Sequence, residues 1–175
     1  QKEEQGRAGY YVEPLTRAEI VYVFGGGHVS AELVPLLAHV GFSVAVYEDR
    51  AEFGNAERFP DAVRIIRAPF EEAGTRISIT PDDAVVIMTR GHQGDFVVLE
   101  QMLRTQAGYI GVIGSRHKIA ATNRRLIEAG IPETALGRIH TPIGLDIGAE
   151  TPAEIAISIA AELIAHRAQS LKEAL

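Results

Sequence analysis

Apolar runs of strand length alternate along this chain with stretches whose apolar residues recur at helical spacing. Ile20-Val21-Tyr22-Val23-Phe24 is a continuous apolar run that stops at Gly25, Gly26 and Gly27. A run of this length, ended by a turn signal, predicts a strand buried on both faces. Val29, Leu33, Leu36, Leu37 and Val40 then follow at helical spacing, and Gly41 closes that helix. Residues 43–47 form a second strand, ending at Glu48-Asp49-Arg50, and residues 63–66 a short third.

The alternation continues to the end. Residues 84–88 read as a fourth strand, followed by a polar turn over residues 89–95 and a helix through Val97, Val98 and Leu103. Residues 109–113 are a fifth strand, followed by Gly114-Ser115-Arg116 and a helix that carries Ile119, Leu126 and Ile127 and stops at Gly130-Ile131-Pro132. Arg138-Ile139-His140 is a last short strand. The final helix has a clear start in Thr151-Pro152-Ala153-Glu154, which combines an N-cap threonine, a proline at the first helical position and a glutamate three residues after the cap. In it, Glu154, Ser158, Glu162 and His166 are spaced by four and form one narrow polar stripe. The remaining surface, with Ile155, Ile157, Ile159, Leu163 and Ile164, needs cover from the sheet, from the N-terminal segment or from a second copy of the chain. Strands alternating with helices predict an α/β fold with a mainly parallel, doubly wound sheet flanked by helices.

Composition narrows the picture. At 175 residues the chain has the length of one domain, and 46% hydrophobic residues suffice for a core. Residues 1–9 are polar and read as a flexible segment or linker remnant. Tyr10-Tyr11-Val12 is a candidate short strand ended by Pro14, and residues 10–175 form a single domain. The net charge of −6 argues against a nucleic-acid or anionic-membrane binder, although a local basic pocket is compatible with it. There is no cysteine, hence no disulfide, thiolate nucleophile or cysteine-held metal in this chain. No apolar run approaches a membrane span, and residues 1–9 lack the apolar part of a signal peptide, so a cytoplasmic location is expected.

Candidate chemistry sits where strands end. Gly25 permits a tight turn, Gly27 lets the backbone approach a phosphate closely, and Gly26 between them belongs to the same cofactor-binding turn. His28 then opens a helix that offers unpaired N–H groups and a positive dipole end. Ser30 or Ala31 replaces the third glycine of the dinucleotide-binding fingerprint, so the match rests on its position between a buried strand and an amphipathic helix. The alternative is a tight turn without ligand. Glu48 and Asp49 lie about 20 residues further on, where an acid binds ribose hydroxyls, or they are solvated strand-end residues. Arg50 beside them could accept a 2′-phosphate. Arg90 and His92 follow strand four, and Gly114, Ser115 and Arg116 follow strand five; ligands of open α/β sheets bind at such carboxyl ends. Arg116 can pair with a phosphate. Ser115 can also be a plain N-cap, and His92 reads more simply as a polar loop residue than as a general base. Asp146, in the long glycine-punctuated loop 141–150, orients a ligand or caps a turn.

Several catalytic patterns are missing. There is no Tyr-x-x-x-Lys pair, Walker lysine, G-x-S-x-G elbow or His-Glu-x-x-His, and the six histidines lack ligand spacing, so no metal site is expected. A binding module is therefore favoured over a catalyst, with an NAD(P)-dependent oxidoreductase as the alternative.

The segments Phe24-Gly25-Gly26-Gly27-His28-Val29-Ser30, Tyr47-Glu48-Asp49-Arg50, Glu57-Arg58-Phe59-Pro60, Thr89-Arg90-Gly91-His92 and Gly114-Ser115-Arg116 are collinear with the C-terminal Rossmann domain of the XdhC/CoxI family, which this chain resembles over residues 10–168. The loop from His140 to Pro152 is the most diagnostic piece. The resemblance implies a Rossmann-like fold and a role as a chaperone-like accessory factor for molybdenum hydroxylases such as xanthine dehydrogenase. Such factors bind the molybdenum cofactor (molybdopterin or its dinucleotide), support its sulfuration and pass it to the apo-enzyme. Partners implied are the apo-hydroxylase, a sulfur-donating desulfurase and a second copy of the chain. Full-length members carry a smaller N-terminal domain with a cysteine motif, which this cysteine-free chain lacks. What transfers is the pterin-nucleotide or dinucleotide site, on Gly25, Gly27, His28, Arg90, Ser115, Arg116 and Asp146.

Overall fold

The computed structural model describes residues 19–114 and 116–173, with the backbone only at His92, residues 116–118 and Glu173. The segment 1–9, the strand expected at Tyr10-Tyr11-Val12, and Ser115 lie outside the described residues. The chain runs β1 (Ile20–Phe24), α1 (His28–His39), β2 (Ser43–Glu48), β3 (Arg64–Arg67), a 3₁₀ turn (Phe70–Glu72), α2 (Ala73–Arg76) and β4 (Ala84–Ile87). It continues with α3 (Gly91–Met102), β5 (Tyr109–Val112), α4 (Arg116–Glu128), α5 (Glu133–Leu136), β6 (Ile139–His140) and α6 (Pro152–Glu173).

All strand pairs are parallel, in the order β3-β2-β1-β4-β5-β6. The doubly wound α/β fold read from the periodicity is therefore the observed one. Side chains alternate between faces along each strand. Tyr22 and Phe24 of β1 pack with Val98, Leu99 and Leu126 of α3 and α4 on one face. Val21 and Val23 pack with α1 and α6, through Leu33, Leu37, Ile159 and Leu163, on the other. Burial of each such side chain contributes about 1.5–3 kcal/mol, and burial on both faces explains why the strands read as continuous apolar runs.

One reading needs correction. The polar turn expected over residues 89–95 is shorter, because α3 begins at Gly91. Thr89 donates to Asp95 from both its backbone N–H (3.1 Å) and its hydroxyl (2.6 Å), and this pairing draws the segment into the first helical turn. The polar stripe of α6, legible from the spacing by four, holds the loop between β6 and α6. Glu154 accepts from the backbone N–H groups of Glu150 and Thr151. The Ser158 hydroxyl donates to the Leu145 carbonyl, and Glu162 accepts from Gly144 N–H and pairs with His140 Nδ1. The ring of His166 lies 5.2 Å from that of Tyr109. The 3₁₀ turn, α2 and α5 are too short to show a hydrophobic period and were not expected. Among the described residues no helix is long and apolar enough to cross a membrane.

Candidate functional site

Strand order reverses between β1 and β4, and the carboxyl ends of these two strands therefore face a crevice with no strand crossing above it. The glycine turn closes one side. Gly25 has φ +102°, and a Cβ there would overlap the Met88 carbonyl. A Cβ on Gly26 would overlap the Phe53 carbonyl. The protein's own packing thus demands both glycines. Gly27 differs: its φ is −69°, and a Cβ there would meet nothing within 4 Å. It occupies the N-cap of α1 without a side-chain cap, and the first turn of α1 carries no acid. The first intrahelical bond is Ala31 N–H to Gly27 O, at 3.1 Å. Among the described residues, the backbone N–H groups of Gly27, His28, Val29 and Ser30 have no hydrogen-bond acceptor. Orphan donors of this kind, at the positive end of a helix dipole, are an anion site.

Glu48 sits under the turn rather than facing the crevice. It is fully buried. One carboxylate oxygen accepts from Gly26 N–H (2.7 Å) and Arg50 Nη2 (3.1 Å), the other from Arg50 N–H (3.0 Å) and Arg50 Nε (2.8 Å). Burial alone would raise its pKa. The hydrogen bonds from Arg50, Asp49, and the Gly26 and Arg50 backbones prevail and lower it to about 2. Held by these four N–H donors, Glu48 has the role of fixing the turn. Arg50 is committed to the same pair and stacks on Phe53, 4.0 Å from the ring centroid. That leaves Asp49 as the outward-facing acid; hydrogen bonding with Glu48, burial and the Glu48 charge push its pKa up.

Asp49 and Arg50 line a cavity of about 170 Å³ together with Phe70, Glu71, Arg90 and Gly94. The structure thus brings the end of β2 to the end of β4. Arg90 is the N-cap residue of α3, and its side chain is exposed. Gly114, two residues beyond the end of β5, has φ +147°, and a Cβ there would also meet nothing within 4 Å. Arg116 opens α4. The side chains of His92 and Arg116 lie outside the described residues.

Asp146 belongs to a separate cavity of about 490 Å³, formed by the loop 141–149 with Ile155 and Ser158. Ile143 N–H bonds the Val112 carbonyl (3.1 Å), which lays the loop over the carboxyl end of β5. Gly111 permits this, since a Cβ there would overlap the Ile143 side chain. Sequence reasoning missed Gly111, although an isolated glycine inside a strand run is a signal of close backbone approach. It also gave Arg58 no role at the site, although Glu57-Arg58-Phe59-Pro60 is one of the segments that carry the resemblance. That side chain donates from Nε to Gly26 O (2.8 Å) and from Nη2 to Gly27 O (3.2 Å). No local pattern shows that this residue grips a turn about 30 positions away. Among the described residues no group of three or more histidines, aspartates or glutamates is arranged to hold a metal ion.

The family model of the XdhC Rossmann domain matches residues 21–163, from β1 into α6. The chain belongs to that family. It is 36% identical over 143 residues to the Escherichia coli protein YqeB, covering 81% of this chain and 26% of that protein. It is 33% identical over 156 residues to a probable xanthine dehydrogenase component of Bacillus subtilis, covering 89% of this chain and 44% of that protein. The crystal structure of a xanthine dehydrogenase from Bacillus halodurans superposes with a TM-score of 0.75 at 35% identity, covering 87% of this chain and 43% of that one. The chain thus spans less than half of each of these relatives. The XdhC domain match begins one residue into β1, so the glycine turn, the Glu48–Arg50 pair, Arg58 and the loop 141–149 all fall inside it.

Proposed function

We propose that this chain is the ligand-binding module of an accessory factor for a xanthine dehydrogenase-type molybdenum hydroxylase, and that it holds the molybdenum cofactor or its dinucleotide by the phosphates. The observation that carries the reading is Gly27. Its conformation and its surroundings leave room for a side chain, yet the open space lies at four orphan N–H groups of a helix N-terminus. A phosphate approaching the backbone fills that space. Family membership and the names of the Bacillus relatives support the choice of client.

The residues fit the phosphate part of such a cofactor. The N–H groups of residues 27–30 would bind it, Arg90 would add charge across the crevice, and Asp49 would accept from ribose hydroxyls. The bound group brings the redox chemistry, while this chain, which has no thiolate, binds and orients it. The apo-hydroxylase and a sulfur-donating desulfurase are the proposed partners. The competing reading is an NAD(P)-dependent oxidoreductase; with Glu48 consumed by the fold, its ribose contact too would fall to Asp49. Native mass spectrometry of the purified protein tests the proposal, followed by calorimetric titration with molybdopterin dinucleotide, NAD and NADP. Binding of the pterin dinucleotide in preference to both others is the expected result. Tight binding of NAD or NADP alone overturns it.

A further inference from the structure

The glycine turn is gripped from two sides, and only one grip came from a residue that the sequence pattern flagged. Glu48 takes the N–H of Gly26. Arg58, from the segment between β2 and β3, takes the carbonyls of Gly26 and Gly27. We propose that Arg58 is the positioning residue of the phosphate turn and the source of its positive charge.

The orientation follows from peptide geometry. In a planar trans peptide the C=O and the next N–H point in opposite directions. Holding the Gly26 and Gly27 carbonyls towards Arg58 therefore turns the N–H groups of Gly27 and His28 away from it, to the side where the orphan donors and the open space lie. Carbonyl oxygens left free at this turn would carry partial negative charge beside an incoming anion. Arg58 covers them, and the Gly27 carbonyl is shared between Arg58 Nη2 and Ala31 N–H. The guanidinium itself is fixed: it lies 5.3 Å from the Phe53 ring centroid and 5.8 Å from that of Phe59. Phe59 is buried in the core between sheet and helix, so the two residues of one short motif divide the work. Phe59 anchors the segment, and Arg58 reaches the turn.

Among the described residues no carboxylate pairs with Arg58. Arg50, by contrast, is neutralised by Glu48. Of the two cations beside the turn, Arg58 is therefore the one whose charge acts on an anion there. The anion is the diphosphate of a nucleotide-type ligand, so the inference rests on the phosphate-binding reading above.

The test uses ADP and inorganic pyrophosphate as probes, with Arg58→Met and Arg58→Lys. Affinities are followed by amide chemical-shift titration at two salt concentrations, and thermal melting checks that each variant is folded. Arg58→Met is expected to weaken both probes roughly tenfold or more and to flatten the salt dependence of binding. Arg58→Lys is expected to keep that salt dependence while recovering only part of the affinity, because an ammonium cannot bridge two carbonyls in a fixed fork. Unchanged affinity in Arg58→Met overturns the proposal. A loss of affinity with the parent's salt dependence reduces Arg58 to a structural brace, and full recovery by Arg58→Lys removes the positioning role. A parent that binds neither probe at millimolar concentration, with Gly27 and His28 amides unmoved, fails the phosphate reading itself rather than the assignment of Arg58.

Discussion

At the scale of single residues, three adjacent glycines do three different things. Gly25 is required by its left-handed backbone and by the Met88 carbonyl, Gly26 by the Phe53 carbonyl, and Gly27 by nothing inside the protein. Substitution should separate them. Gly25→Ala is expected to destabilise the fold by about 2 kcal/mol or more, from backbone strain and overlap. Gly27→Val is expected to keep the melting temperature close to that of the parent but to abolish binding of phosphate-bearing ligands. Paired melting and titration curves check both, and unchanged affinity in Gly27→Val removes the turn as the phosphate site.

Glu48 makes a pH prediction at the same scale. Its carboxyl is held at about 2 in the folded protein, against an ordinary value of 4.5. A carboxyl whose folded pKa is depressed contributes its stability above the unfolded value and loses it as pH falls through the folded value. The contribution here is on the order of 3 kcal/mol. It is fully present above about pH 5 and drains away between there and about pH 2. Denaturant unfolding of Glu48→Gln should therefore show a deficit at pH 7 that shrinks towards pH 2. A deficit constant with pH would mean that the carboxylate charge does not hold the turn. This residue also shows why sequence reading stopped short. Its position, just beyond the end of an apolar run and about 20 residues past the turn, signals an acid near a ribose. Only the fold turns the carboxylate inward onto Gly26 and Arg50.

At the scale of elements, α6 presents three faces. Ala156, Ile159, Ala160 and Leu163 enter the core, and Ser158, Glu162 and His166 grip the loop and the sheet edge. Ile157, Ile164 and Leu171 stay exposed at 53%, 39% and 63%. At about 100° per residue this third face lies roughly 90° from the core face and roughly 160° from the polar one. Its large residues alternate with Ala161 and Ala168 at the three-and-four spacing of a helix-packing seam. An antiparallel register that sets Ile157 opposite Ala168 of a second copy also sets Ala161 opposite Ile164. The seam is thus self-complementary, as a two-fold contact requires. Sedimentation at micromolar concentration is expected to show a dimer that Ile157→Glu and Ile164→Glu dissociate. A monomeric parent, or a dimer indifferent to both substitutions, rejects this face as the contact. The spacing by four of Glu154, Ser158, Glu162 and His166 was visible in the sequence, but its purpose was not. A polar stripe signals solvent unless something polar packs on it, and here the packing partner is backbone from a distant loop.

At the scale of the molecule, a chain of net charge −6 sets Arg50, Arg58 and Arg90 around one crevice. A binding module rather than a hydride-transfer enzyme is expected to show no turnover of NAD or NADP over a panel of alcohols, aldehydes and hydroxy acids. Robust reduction of either nucleotide, lost in His92→Ala, would shift the reading to the oxidoreductase.

The parallel, doubly wound sheet is legible in the chain, because strands buried on both faces are continuous apolar runs and their covering helices carry a regular period. The position of the glycine turn was legible for the same reason: it interrupts such a run. Strand boundaries moved by a single residue between reading and structure, as at β3 and β4. Which distant groups meet is set by the folded arrangement alone. Glu48 is spent on the turn, Arg58 reaches back to it across 31 and 32 positions, and Gly111 makes room for Ile143. Hydrophobic periodicity is a local property, written every two or every 3.6 residues. Hydrogen bonds between distant loops depend on the strand order β3-β2-β1-β4-β5-β6, and no local period encodes that order.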